Sequence, residues 1–144
     1  MSRIKFNKNY YIMATPCSGK TTFWRKNRDL YHNFYEQDGH SLKLNEKTYI
    51  FFDRLPKNSV ILGHAHEPNF DYCEYLSVIL PMNILKQYIK ERYKRNKNSR
   101  KKKRWDKIEE IQPQRDKLIE ITERYNIKSF KSFERAMKYI KNGK

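Results

Sequence analysis

Residues 10–22 carry the sequence YYIMATPCSGKTT, an apolar run followed directly by a loop of small and polar residues. The run predicts a short buried strand over residues 9–14, and Gly19 and the residues after it predict a helix over 19–30. Pro16 and Ser18 lie in the loop between the two elements. The stretch therefore predicts a strand–loop–helix unit, which is the building block of an α/β fold.

The same loop contains most of a phosphate-binding pattern. In a P-loop, a glycine is followed by four residues and then by Gly-Lys-Ser or Gly-Lys-Thr, so that backbone N–H groups and the helix N-terminus surround phosphates. Gly19, Lys20 and Thr21 fit this pattern, whereas Ala14 occupies the first glycine position. We expect the loop to bind nucleotide phosphates, with Thr21 as a ligand of Mg²⁺. The predicted binding residues are Thr15, Pro16, Cys17, Ser18, Gly19, Lys20, Thr21 and Thr22. The alternative is an ordinary strand–turn–helix junction with a solvated lysine.

Composition limits the protein to a few classes. The 144 residues are enough for one domain with a hydrophobic core, and the 15% aromatic content argues against disorder. The formal charge of +16 favours polyanionic partners such as nucleotides or nucleic acid. Cys17 and Cys73 are too few for a disulfide framework or a zinc cluster. With no secretory signal and no membrane-length apolar run, we expect an intracellular, cytoplasmic protein without a membrane partner, and the Lys, Asn, Ile and Tyr bias suits a viral or phage genome.

Further apolar runs alternate with helical patterns along the chain. Strands are predicted over residues 33–38, 59–63, 74–80 and 126–130, and residues 41–55 are assigned to a helix with a loop. Helical spacing follows from Ile84 to Tyr93, over residues 105–125 and from Phe133 to Ile140. This alternation predicts a single domain over residues 1–144, built as a three-layer α/β/α sandwich around a five-stranded parallel sheet.

With the loop and this order of elements, the chain resembles P-loop kinases of the nucleoside-monophosphate-kinase superfamily. It looks closest to small viral and phage members and to the kinase domain of polynucleotide kinases. The matching residues are 15–23 in the loop, Asp38-Gly39-His40 after the second strand, Leu80-Pro81 after the fourth, and 129–136 at the last helix. The resemblance implies the kinase type of P-loop NTPase fold, a basic lid, and a requirement for ATP and Mg²⁺.

The chain departs from the family pattern in two ways. Ala14 and Cys17 stand where the family usually has glycine, so Cys17 requires a backbone that tolerates a side chain. The third predicted strand ends in Leu62-Gly63-His64, without the acidic residue that many P-loop proteins use to support Mg²⁺. Magnesium would then depend on Thr21, phosphate oxygens, water and Asp38.

Several other residues are candidates for catalysis and acceptor binding. The resemblance implies that Lys20 neutralises the transferred phosphoryl group and that Asp38 accepts the proton of the acceptor hydroxyl. Asp38 also lies at the carboxyl end of a predicted strand, where α/β ligand sites form, although the Asp-Gly turn alone explains its presence equally well. Arg54 and His64 are candidate contacts of the acceptor, and a metal site at His64 and His66 lacks a third ligand.

Residues 86–104 form a strongly basic segment, with eleven basic residues and one acidic residue, Glu91. The resemblance implies a lid whose arginines stabilise charge on the phosphates, with Arg92 and Arg95 as the catalytic candidates and Arg100 and Arg104 beside them. The segment also suits the backbone of a nucleic acid, which would make binding dependent on salt. A charge run of this kind is also typical of a solvated helix face.

The sequence therefore leads to one main hypothesis and two alternatives. We expect an ATP- and Mg²⁺-dependent kinase that acts on a nucleotide, a nucleoside or a polynucleotide 5′ end. The first alternative is a nucleic-acid-binding protein on a degenerate, non-catalytic P-loop scaffold. The second is a regulatory NTPase that uses nucleotide as a switch, although the chain shows no obvious switch segment.

Overall fold

The computed structural model of this chain describes residues 3–96 and 107–142. Within these residues the chain forms seven β-strands, four α-helices and a short 3-10 turn at Phe52–Arg54. The strands are β1 (Tyr10–Met13), β2 (Phe34–Asp38), β3 (Ser41–Lys43), β4 (Tyr49–Phe51), β5 (Val60–Gly63), β6 (Glu74–Val78) and β7 (Lys128–Phe130). The helices are α1 (Lys20–Asn27), α2 (Met82–Asn96), α3 (Ile108–Arg124) and α4 (Phe133–Lys141).

All seven strands belong to one mixed sheet with the order β4-β3-β2-β5-β1-β6-β7. The strands β2, β5, β1, β6 and β7 run parallel to one another, and β1 lies in the middle of these five, with Tyr10 opposite both Val60 and Glu74. Both β1 and β5 are buried along their whole length. This burial explains their continuous apolar sequences, because a parallel strand is covered on both faces.

The prediction of a purely parallel, five-stranded sheet was wrong. Residues 41–51, assigned above to a helix with a loop, form the antiparallel strands β3 and β4 and extend the sheet beyond β2. The Asp38-Gly39 turn reverses the chain, and Leu42 and Ile50 then face each other across the two strands. Leu42 is fully buried, so the short hairpin is held by the core as well as by its own backbone hydrogen bonds.

Helices cover both faces of the sheet, but unequally. On one face, called here the α1 face, α1, α2 and α4 bury a core that includes Trp24, Leu85 and Met137. On the opposite face, called the α3 face, α3 packs together with the loop of residues 64–73 over a second core. The described residues therefore form three layers, and a loop replaces a second helix on the α3 face.

The predicted terminal helix and the last parallel strand are confirmed. Phe133, Ala136, Met137 and Ile140 are buried along one side of α4, and Ser132 caps the helix because its hydroxyl accepts a hydrogen bond from the Arg135 N–H at 3.2 Å. Pro113, expected to start or break a helix, lies inside α3 on an exposed position. Among the described residues no helix is both long and apolar enough to cross a membrane.

Candidate functional site

The loop between β1 and α1 is bent by two residues with left-handed backbone. Cys17 has φ 61° and Gly19 has φ 82°, and α1 begins immediately afterwards at Lys20. A β-carbon on Gly19 would lie 3.3 Å from Cε2 of Tyr88, so α2 also packs closely against the loop. The expected requirement for an unusual backbone at Cys17 therefore matches its conformation. Such alternation of backbone conformation before a helix N-terminus forms concave turns that bind anions.

Ser18 has a hydroxyl group without a partner. The residue is 2% exposed, and within the described residues its Oγ has no hydrogen-bond partner. Leaving a buried hydroxyl unsatisfied costs about 1–3 kcal/mol, so such atoms are rare without a functional reason. Because Ser18 also lines the cleft described below, a ligand oxygen in the loop would satisfy it.

Lys20 is held by His64. Its Nζ lies 3.2 Å from Nδ1 of His64, the residue that follows β5. Burial lowers the pKa of Lys20 to about 8, although Glu36 and Asp38 oppose this shift. Burial, together with the charges of Lys20 and His66, lowers the pKa of His64 to about 4. At pH 7 the ring of His64 is therefore neutral, and its Nδ1 accepts a hydrogen bond from the Lys20 ammonium group.

Thr21 contacts a carboxylate that the sequence analysis did not identify. Its Oγ1 donates a hydrogen bond of 2.5 Å to Oε2 of Glu36, which is 6% exposed on β2. A hydroxyl and a carboxylate are the hard oxygen ligands that Mg²⁺ prefers. Glu36 thus places a carboxylate next to Thr21, whereas β5 ends without an acidic residue. The signal in the sequence was a glutamate inside an apolar strand, two residues before Asp38 and hence on the same face.

Asp38 lies at the edge of this group. Its side chain is exposed at the end of β2, and Oδ2 accepts a hydrogen bond of 3.3 Å from the hydroxyl of Tyr49 on β4. Its negative charge raises the pKa of both Lys20 and His64. Asp38 is therefore electrostatically coupled to Lys20 and His64.

A large cleft on the α1 face contains most of these groups. It has a volume of about 1340 Å³ and is lined by the loop, α1, His64, one side of α2 from Ile84 to Arg95 and residues 131–135. Glu36 and Asp38 are not among the described residues that line it. Its charged lining is strongly basic, with two acidic residues, Glu91 and Glu134, against eight basic ones. The basic residues are Lys20, Arg25, Lys26, Arg92, Lys94, Arg95, Lys131 and Arg135. The structure thus brings the predicted lid residues Arg92 and Arg95 to the same cleft as the loop.

The other predicted residues lie elsewhere. Arg54 is exposed in the 3-10 turn after β4 and, in the described part of the chain, is not among the residues that line the cleft. Arg100, Arg104 and the rest of the basic segment after residue 96 lie outside the described residues. His66 packs edge-on against Tyr11, with ring centroids 4.8 Å apart. Residues 3–96 and 107–142 contain no group of three or more His, Cys, Asp or Glu side chains that could hold a metal ion.

The α3 face supports the site from behind. The hydroxyl of Tyr11 accepts a hydrogen bond of 3.0 Å from the His64 N–H and donates one to Oε1 of Gln37. A β-carbon on Gly63 would overlap this hydroxyl. Residue 63 must therefore lack a side chain if Tyr11 is to reach His64 and fix the start of the loop after β5.

Comparison with models of protein families, with curated proteins and with solved structures finds no match to this chain.

Proposed function

We propose that this protein is an ATP- and Mg²⁺-dependent phosphotransferase that acts on a nucleotide, a nucleoside or a polynucleotide 5′ end. One observation carries the proposal: a bent loop before a helix, whose buried Ser18 Oγ lacks a partner within the described residues, lines a basic cleft together with Lys20 and Thr21, and Glu36 contacts Thr21 from β2. Each of these groups suits a triphosphate, and their combination in one cleft favours a nucleotide over a simple anion.

The loop would bind the phosphates of ATP. The left-handed residues Cys17 and Gly19 and the N-terminus of α1 present backbone N–H groups, and Ser18 offers its unpaired hydroxyl. Lys20 exchanges its neutral partner His64 for a phosphate oxygen, which is favourable because a charge-assisted hydrogen bond to an anion is the stronger one. His64 remains in the cleft and can contact the transferred group.

Thr21 and Glu36 would hold Mg²⁺. They provide two oxygen ligands, and phosphate oxygens and water supply the rest, as is usual for this ion. When bound, Mg²⁺ neutralises charge that develops on the phosphoryl oxygens. Glu36 on β2 contacts Thr21 on α1, so the lack of an acidic residue at the end of β5 does not argue against catalysis.

Asp38 would act as the base. In the transfer, the acceptor oxygen forms a bond to the γ-phosphorus while the bond from that phosphorus to the bridging oxygen of ADP breaks. Where the acceptor is a hydroxyl, its proton passes to the Asp38 carboxylate and the products are ADP and a phosphate ester. Where the acceptor is a nucleotide phosphate, its ionised oxygen attacks without losing a proton and the products are ADP and a phosphoanhydride. Arg92 and Arg95, which line the cleft from α2, would stabilise the charge of the transferred group.

A second candidate is a nucleic-acid-binding protein on a non-catalytic scaffold of the same shape. The observation that favours it is the excess of positive charge, which is +16 for the chain and includes eight basic against two acidic residues in the lining of the cleft. Such a protein would bind oligonucleotides with an affinity that falls steeply with salt and does not depend on ATP.

The test is an incubation with Mg²⁺ and γ-labelled ATP against three pools of acceptors: nucleosides, nucleoside monophosphates and 5′-hydroxyl oligonucleotides. We expect label in one pool, lost in Lys20→Ala and retained in Lys117→Ala, which changes an exposed lysine of α3. Label in no pool, with ATP still bound, would favour the non-catalytic alternative. A chain that does not bind ATP would end the proposal.

A further inference from the structure

The hairpin of β3 and β4 exposes two aromatic side chains beside the candidate base. Tyr49 is 46% exposed and Phe51 is 68% exposed, the largest value among the large hydrophobic residues in the described part of the chain. Exposed aromatic residues on an edge strand favour unwanted strand pairing, and natural proteins usually avoid them. Their presence here calls for a functional reason.

Strand register places these rings on the same side of the sheet as the candidate site. Asp38 is opposite Ser41, and Ser41 is opposite Phe51; one row away, Glu36, Lys43 and Tyr49 are aligned in the same manner. Residues directly opposite each other in antiparallel strands, and those two positions apart on one strand, share a face. That face is the α1 face, because Glu36 contacts Thr21 there.

The remaining residues of the hairpin behave as expected for a core. Leu42 and Ile50 point to the α3 face and pack in its core. Packing thus accounts for one side of the hairpin, but it does not account for the exposed rings on the other side. Tyr49 is tied to the site directly, since its hydroxyl donates to Oδ2 of Asp38 at 3.3 Å.

We propose that Phe51 and Tyr49 form a stacking platform for the terminal nucleoside of a single-stranded nucleic acid, whose sugar hydroxyl is thereby directed to Asp38. This inference rests on the proposed function and names its acceptor. Phe51 lies two strand spacings from Asp38, about 10 Å, which matches the size of one nucleoside.

Charge favours a nucleic acid as the occupant of this surface. Asp38 interacts electrostatically with Lys20 and His64, which line a cleft with eight basic and two acidic residues, so a chain of phosphates that leads from Asp38 towards the loop meets positive potential. Aromatic rings beside a basic groove are the arrangement by which proteins bind single strands, because every base can stack whatever its sequence. A free nucleoside would use the rings alone.

The experiment is a binding cycle that compares the wild-type protein and Phe51→Ala. The ligands are a fluorescent single-stranded oligonucleotide with a 5′ hydroxyl and the same strand without its 5′-terminal base; affinity is measured by anisotropy. We expect Phe51→Ala to weaken binding of the intact strand about tenfold, as loss of one stacked base does. Removal of the terminal base should cost the wild type about the same factor and should cost Phe51→Ala almost nothing.

Controls separate this inference from the kinase proposal. Phe51→Trp should bind as the wild type does, and Tyr125→Ala, which removes a ring that is 42% exposed at the end of α3, should have no effect. ATP affinity should be the same in Phe51→Ala as in the wild type. A wild-type protein that binds the strand through Phe51 but does not bind ATP would overturn the kinase proposal and leave the platform supported. Equal costs of base removal in the two proteins would overturn the platform. A Phe51-dependent affinity for free thymidine, without one for the strand, would overturn the assignment of nucleic acid.

Discussion

Near the loop of residues 14–19, the two faces of the sheet differ in how completely their polar side chains are hydrogen-bonded. On the α1 face Ser18 Oγ lacks a partner in the described residues, and Lys20 is held only by a neutral ring. On the α3 face the hydroxyl of Tyr11 makes two hydrogen bonds, and Ser77 Oγ lies 2.8 Å from Oγ1 of Thr122 inside the core.

This contrast indicates that the α1 face binds ligand and that the α3 face stabilises the site. Ser18 Oγ, the one buried side-chain polar atom without a partner among the described residues, lies on the α1 face, where a ligand can satisfy it, and Tyr11 on the α3 face positions His64 next to Lys20. The rings of Phe70, His66 and Tyr75 surround Tyr11, which connects the two faces through the His64 N–H. Changes on the α1 face should therefore affect activity, and changes on the α3 face should affect stability.

The largest expected effect is that of Lys20→Ala on phosphoryl transfer. We expect a loss of about 1000-fold, or about 4 kcal/mol, because the variant loses the cation that faces the phosphates. Unfolding in urea should change little, since within the described residues the side chain of Lys20 hydrogen-bonds to His64 alone. Single-turnover transfer of labelled phosphate measures the effect, with Lys117→Ala as the matched control. Transfer within threefold of wild type would remove Lys20 from the site.

Gly63→Ala should be the most damaging change on the α3 face. The added methyl group overlaps the Tyr11 hydroxyl, and we expect a loss of about 3 kcal/mol in the free energy of unfolding. Urea denaturation measures this loss. Nucleotide affinity should also fall, because the backbone N–H of His64 loses the Tyr11 hydroxyl as its hydrogen-bond acceptor. A stability loss below about 1 kcal/mol would mean that Tyr11 moves aside at little cost.

Asp38→Asn tests whether the edge of the site takes part in chemistry. We expect turnover to fall about 100-fold, at the low end of general base catalysis, with ATP affinity unchanged. Asp53→Asn, an exposed change in the 3-10 turn, is the control. Equal losses in turnover and in ATP affinity would mean that Asp38 supports the metal or the fold.

The pH dependence of the free energy of unfolding tests the burial of the Lys20 ammonium group. Burial lowers the pKa of Lys20 to about 8 from its ordinary value of 10.5. The folded chain therefore binds fewer protons than the unfolded chain between these values, and the contribution of Lys20 to stability rises with pH across that window. The free energy of unfolding of the wild type, measured against that of Lys20→Met with metal removed by EDTA, should rise by on the order of 1 kcal/mol from pH 7.5 to 10.5, after allowance for solvent screening. Urea denaturation at each pH measures this difference. A constant difference would contradict the burial of the ammonium group.

The smallest effect concerns Cys17, whose φ of 61° is unfavourable for a residue with a side chain. Cys17→Gly removes this strain but loses packing and adds freedom to the unfolded chain, so stability should change by less than about 1 kcal/mol and ATP affinity by less than twofold. Cys17→Val should weaken ATP binding clearly, because a β-branched residue tolerates such a φ poorly. Equal behaviour of the two variants in an ATP titration would contradict this account of the loop.

Sequence reasoning identified the loop and the five parallel strands because those signals are local. The runs at β1 and β5 are continuous and apolar, as buried strands require. The hairpin was missed because β3 and β4 have only three residues each, too few to show a period. Glu36 was missed because its partner Thr21 is fifteen positions away, and only the fold brings them together.

The contact between Gly63 and Tyr11 also has an evolutionary consequence. The space that a side chain would need at position 63 is already occupied by a ring from the neighbouring strand. Substitutions at the two positions are therefore coupled. A larger residue at position 63 requires a smaller one at position 11, and the backbone N–H of His64 then needs another hydrogen-bond acceptor. A selection from a library randomised at both positions should return small–large combinations and no large–large ones.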